Sequence, residues 1–234
     1  MFSFKRFSVL IITAVFAVSA LFAQNNQREM TVEESYLQES IEMMIIKETA
    51  RAETRELKFI ALEYIAEAID RGSTNDDIRQ TLEFLSLEGN RNHQTRENGR
   101  LVNNFPEVRR RAAMYLGQLG TEEAKDSLIR VTQGENEPMV LMEAIRSLGD
   151  IGLNDNNATV ENIAWVMYRF EGKPDNQMAA ATIYAFREIA KADGSISPVA
   201  IQTLNRISSD YRYATPVREG ARQLVADLRS QRRN

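Results

Sequence analysis

The residue types that do chemistry are few in this chain. Among 234 residues there is no cysteine and one histidine, His93. That removes disulfides, thiolate metal sites, a Cys nucleophile and any two-His metal centre. It also removes the lipidated N-terminal cysteine of a bacterial lipoprotein. There is no G-x-S-x-G, no Gly-rich phosphate loop and no H-E-x-x-H. Asp and Glu number 33. Carboxylates this frequent mean little until a fold gathers a pair in a cleft. The expectation is no catalytic residue, no metal and no cofactor. The chemistry left is recognition.

Two stretches carry it. In 158–170, Val160, Ile163, Ala164 and Met167 form an apolar stripe at helical spacing, while Trp165 and Tyr168 fall off it on another face, with Glu161 and Arg169 nearby. Large aromatics are usually mostly buried, so packing against a neighbouring element is the first expectation. Exposed, they would be anchors of a partner site, since each gives rigid contact area and one polar handle. The second stretch is the connection 88–104, EGNRNHQTRENGRLVNN, which holds Arg91, Arg96 and Arg100. From Glu88 to Arg111 there are six Arg against three Glu, a local +3 on an acidic chain. A solvated, partly disordered loop is the first expectation; capture of an anion is the alternative. His93 reads as exposed and idle, and the Asn157-Ala158-Thr159 sequon as a chance triplet.

The elements that must position these residues are helices. Glycine (11) and proline (5) are scarce. Thr31-Val32-Glu33-Glu34 is a capping box that starts a helix running through Met43 to Ile46 and breaking near residues 48–54. From Leu57 the apolar positions Ile60, Ala61, Tyr64, Ile65, Ala68 and Ile69 make one stripe. Pro106, Pro138, Pro198 and Pro216 sit where a helix takes its first turn, and the missing N–H costs nothing there. PEVRRRAAMYLGQLG from Pro106 and PMVLMEAIRSLGDIG from Pro138 align without a gap, 32 residues apart. Weaker copies follow as MAAATIYAFREIA and PVREGARQLVADL, and the stripe from Leu57 fits the same template. Each copy precedes a second helical pattern, at 76–87, 122–132, 158–170 and 198–211. The unit is helix, turn, helix. Gly120 can take the left-handed position ending one helix, and Thr121 can cap the next. Ala112, Gly117, Ala144 and Gly149 would let neighbouring helices approach closely.

The run Val108-Arg109 through Gly120 resembles HEAT repeats, particularly the short HEAT-like type of phycobilisome lyase-related proteins. The resemblance covers roughly residues 50–230. Its recurring Arg stands at 109 and 218 and is replaced by Leu141 and Ala179 between them. It implies an all-α fold: an α-solenoid, a right-handed superhelix of helix pairs in which stacking supplies the core no single pair could bury. Some HEAT-like proteins are enzymes, among them a di-iron hydroxylase built from His-Glu pairs and the bilin lyases. Here His93 is followed by Gln94.

Residues 1–23 read as a secretory signal peptide: Lys5 and Arg6, then 17 uncharged residues ending at Ala23. A retained membrane anchor is the alternative. Residues 24–50 are then a polar start and capping helix, 51–230 the solenoid and 231–234 a basic tail. Removing the leader shifts net charge from −4 to −6, which disfavours nucleic acid. The functional expectation is a non-catalytic scaffold for protein–protein interaction in the bacterial cell envelope. It would be exported and periplasmic, and would bind another protein through the second helix of each pair, on the concave face. The alternatives are an envelope factor, inner-membrane anchored or secreted, held by its N-terminus or Arg-rich loop, and a lyase- or hydrolase-like enzyme.

Overall fold

A computed structural model describes residues 31–73, 75–90, 93–194 and 196–231 of the chain. The proposed signal peptide lies outside them, as do Arg91 and residues 232–234. The described residues fall into two compact units, divided between Glu42 and Met43.

Helix α1 (Val32–Arg51) begins in the first unit. Its capping box forms in both directions: Glu34 N–H donates to Thr31 Oγ1 at 3.2 Å, and Thr31 N–H donates to Glu34 Oε2 at 3.0 Å. In the second unit, Ile46 and Ala50 of the same helix join the core.

The rest of the second unit follows the repeat. The helices are α2 (Arg55–Asp70), α3 (Asp76–Leu87), α4 (Pro106–Leu119), α5 (Glu122–Gly134), α6 (Pro138–Ile151), α7 (Ala158–Arg169), α8 (Asn176–Asp193), α9 (Pro198–Ser209) and α10 (Thr215–Gln231). They stack as two layers. First helices α2, α4, α6, α8 and α10 touch in series, and second helices α3, α5, α7 and α9 do the same. This is the all-α solenoid that the internal repeat implies. The template residues Val108, Ala112 and Leu116, then Val140, Ala144 and Leu148, and then Met178, Thr182 and Phe186 are all buried between the layers.

Local signals explain the helix ends. Gly120 has φ +67 at the end of α4, and Thr121 Oγ1 accepts the Ala124 N–H at 3.2 Å to start α5. Ser197 does the same for α9 through the Val199 N–H at 3.3 Å. Thr215, before Pro216, reads in the sequence as another such cap and is not one. It lies inside α10, and its hydroxyl accepts from Arg218 Nη2 at 3.1 Å.

Two further expectations are corrected. The stripe from Leu57 is rotated: Leu57 and Ile60 are partly exposed, while Lys58 and Leu62 are fully buried. Lys58 can occupy the core because its ammonium finds Glu88 Oε2 at 2.5 Å and the Ala50 carbonyl at 3.0 Å. The 88–104 connection contains an ordered hairpin, β1 (Arg96–Glu97) paired antiparallel with β2 (Arg100–Leu101). Asn98 and Gly99 turn it, both at positive φ (49 and 80), as a tight two-residue hairpin turn requires. Asn103 braces its foot, accepting the Thr95 N–H and donating to the His93 carbonyl. Gly89 closes it so tightly that a Cβ there would fall 1.9 Å from Asn103 O.

Candidate functional site

Helix α7 turns its apolar stripe inward. Val160, Ile163, Ala164, Val166 and Met167 are buried. Glu161, Trp165 and Tyr168 stand at i, i+4 and i+7 on the opposite side and face outward. Trp165 is 45 % exposed and Tyr168 64 % exposed. The expectation that both rings pack against the next repeat is therefore overturned. The layer neighbours of α7 are α5 and α9, and the 165–168 face points away from the core the stack encloses.

Arg169, paired with these rings in the sequence reading, turns inward to the backbone. It donates to the carbonyls of Thr132 (3.2 Å), Gln133 (3.3 Å) and Glu135 (2.7 Å), at the end of α5 where helix carbonyls lack internal partners. Its guanidinium lies 4.6 Å from the Trp165 ring centre and 5.2 Å from that of Phe170. Arg169 thus clamps α7 to α5 and holds the indole.

Beside Tyr168 a groove of about 170 Å³ opens between α7 and α9. Ala164, Met167 and Ile207 supply its buried apolar surface, and Tyr168, Glu171 and Arg206 its exposed edges. Arg206 sits 5.9 Å from the Tyr168 ring centre. Tyr213 lines the groove too; burial pushes its phenol up, and the Asp210 charge adds to that. The Arg212 side chain, hydrogen-bonded to Asp210, holds that carboxyl below the usual carboxylate range. Tyr211, next to it, is 85 % exposed. Sequence reasoning missed the groove, Tyr211 and Arg206. Their meeting with Tyr168 depends on how α7 and α9 pack.

Buried charges mark the joints of the stack. Lys58 of α2 pairs with Glu88, Arg109 of α4 with Glu135, and Lys125 of α5 with Asp155. Arg109 is 2 % exposed and donates to Glu135 Oε2 at 2.6 Å and Asn104 Oδ1 at 2.9 Å. Glu135 in turn accepts the N–H groups of Asn136 and Glu137, where the chain enters α6. Paired helices bearing such charged joints, stacked in two layers, invite comparison with known repeat families. Residues 100–187 match the family model for HEAT repeats. The match supports the HEAT-repeat family and covers α4 to α7 with most of α8. No curated protein and no solved structure matches the chain.

Most of the arginines behind the local +3 have intramolecular partners. Arg109 is buried against Glu135, Arg110 pairs with Glu143 at 3.0 Å, and Arg111 lies 5.1 Å from the Phe59 ring centre. Arg96 folds back onto the hairpin through the Gly99 carbonyl and Gln94. Arg100 is exposed and Arg91 lies outside the described residues. Among the described residues, Arg96 and Arg100 do not come together as an anion site. His93 is exposed, as read. Among the described residues no three acidic or His side chains gather to hold a metal, and no helix is long and apolar enough to cross a membrane.

Proposed function

We propose that this chain is a non-catalytic scaffold that binds another protein through its second-helix layer, with Trp165 and Tyr168 as anchors. One observation carries the reading: two large aromatic side chains stand exposed on a helix whose other face is fully packed, with the indole fixed by Arg169. Rigid exposed aromatics lose little entropy on binding and dominate interface energetics. HEAT repeats commonly serve protein–protein interaction, which agrees. Glu161 belongs to the same surface; Arg169 acts through Trp165. The layout of residues 1–23 supports export to the bacterial envelope, and the periplasm is the proposed location.

The test is a photo-crosslinker at Glu161 in the native envelope, compared across Trp165→Ala and Tyr168→Ala. The expected outcome is loss of the crosslinked partner with circular dichroism and thermal melting unchanged. Loss of folding in both variants would return the rings to a packing role. Sequencing the mature N-terminus and fractionating membranes tests the location: a soluble chain starting near Gln24 supports export with cleavage, and a retained segment in the membrane fraction opposes it.

A further inference from the structure

The charges around the anchors are one-sided. Along the second-helix layer, Glu122, Glu123 and Glu161 are exposed and form no ion pair with a described residue. Glu171, just past α7, is a fourth, and it lines the groove. The cations of these helices are mostly engaged. Lys125 is buried against Asp155, Arg130 pairs with Glu83 at 2.6 Å, and Arg169 holds the α5 carbonyls. Arg206 alone on α5, α7 and α9 is an exposed cation with no carboxylate among the described residues. The groove beside it combines an apolar floor with a tyrosine ring and a carboxylate at its edge.

We propose that the occupant of this surface is a basic segment of a partner protein. Resting on the anchor reading above, this adds the partner's charge to it. A lysine or arginine of the segment lays its aliphatic stem along Ala164, Met167 and Ile207, places its cationic head by Tyr168 and Glu171, and leaves the next basic residue for Glu161. Charge complementarity of this kind sets partner choice and association rate. An acidic segment meets four unpaired carboxylates against two exposed cations, Arg206 and Lys173. Arg206 opposes the basic segment, because it already lies against one face of Tyr168.

The test uses the full chain and two fluorescein-labelled twelve-residue peptides, one alternating Lys with Leu and the other Glu with Leu, read by fluorescence anisotropy. The Lys peptide is expected to bind and the Glu peptide to bind at least about tenfold more weakly. Reversing Glu161 and Glu171 together to Lys should weaken the Lys peptide by about tenfold, and Arg206→Gln should tighten it about threefold. Glu63→Lys with Glu67→Lys makes the same change in net charge on exposed positions of α2 and should leave binding unchanged. Melting curves confirm folding, and Glu161→Gln with Glu171→Gln replaces the reversal if that variant unfolds. Equal weakening by the α2 pair, or tighter binding of the Glu peptide, overturns the basic-segment proposal. If Trp165→Ala and Tyr168→Ala abolish binding while the charge changes do nothing, the anchor reading stands and this one falls. If neither set changes binding, both fall.

Discussion

The two layers of the stack are joined by different physics. In the first-helix layer, neighbours meet backbone to backbone at two glycines, beside polar bridges from Arg110 to Glu143 and from Tyr184 to Asp150. A Cβ on Gly117 would lie 2.6 Å from the Ser147 Cβ, and one on Gly149 would lie 2.6 Å from the Ala185 Cα. The glycines repeat at the spacing of the sequence repeat and set how closely α4, α6 and α8 approach. In the second-helix layer, neighbours are bridged by polar side chains. Glu83 of α3 takes Arg79, Ser127 and Arg130; Asn162 of α7 donates to Thr132 Oγ1 at 2.7 Å; Arg169 reaches the end of α5. Between α7 and α9 a groove remains. The close-packed layer holds the molecule together, and the bridged layer leaves side chains free to meet something else.

The largest test of this contrast is at a joint. Arg109→Met removes one partner of a buried pair and leaves the Glu135 carboxylate in the core, so unfolding by urea should show a loss of about 4 kcal/mol. Gly149→Val drives a side chain into the α8 backbone, and about 3 kcal/mol should go. Glu83→Gln weakens only bridges of the second layer, at a half-buried site, with about 1 kcal/mol expected. Burial pushes the Glu83 carboxyl up, but its bonds to Arg130, Ser127 and Arg79 outweigh that and hold it below 4.5. Its contribution is therefore full above that value and is lost as pH falls through the lower folded-state pKa. The smallest effect on stability, under about 0.5 kcal/mol, belongs to Tyr168→Ala, because an exposed side chain away from a cap or core contributes little to folding. A loss as large as that of Gly149→Val would erase the distinction between layers.

Tyr184 offers a titration within the first layer. The hydrogen bond it donates to Asp150 Oδ1 at 2.5 Å, with some burial, pushes its phenol up to about 12. A raised value means that the bond's stabilisation is complete below pH 10 and disappears as pH rises toward about 12. Absorbance at alkaline pH should show Tyr184 and Tyr213 titrating late, and Asp150→Asn should bring Tyr184 alone back toward the other tyrosines.

The fold was legible because its signals are local. Capping residues, N1 prolines and the 32-residue echo between Val108 and Val140 each depend on near neighbours in the chain. The turn Asn98-Gly99 is equally local, but a polar, arginine-rich stretch has the composition of a solvated loop whether or not a hairpin forms in it. The site was less legible. Periodicity separated Trp165 and Tyr168 from the buried stripe, yet only packing decides whether a face off the stripe meets a neighbour or solvent. Lys58 and Arg109 show the same limit: nothing in their own segments announces that Glu88 and Glu135, 30 and 26 residues away, arrive to accept their charge.

The 96–101 hairpin has a foot that tolerates no side chain at Gly89 and a tip whose residues face outward. Such a loop is a natural handle. An epitope or fluorophore placed between Asn98 and Gly99 would ride on a firm stem away from Trp165 in sequence, and could report the molecule's tumbling without occupying the surface assigned to its partner.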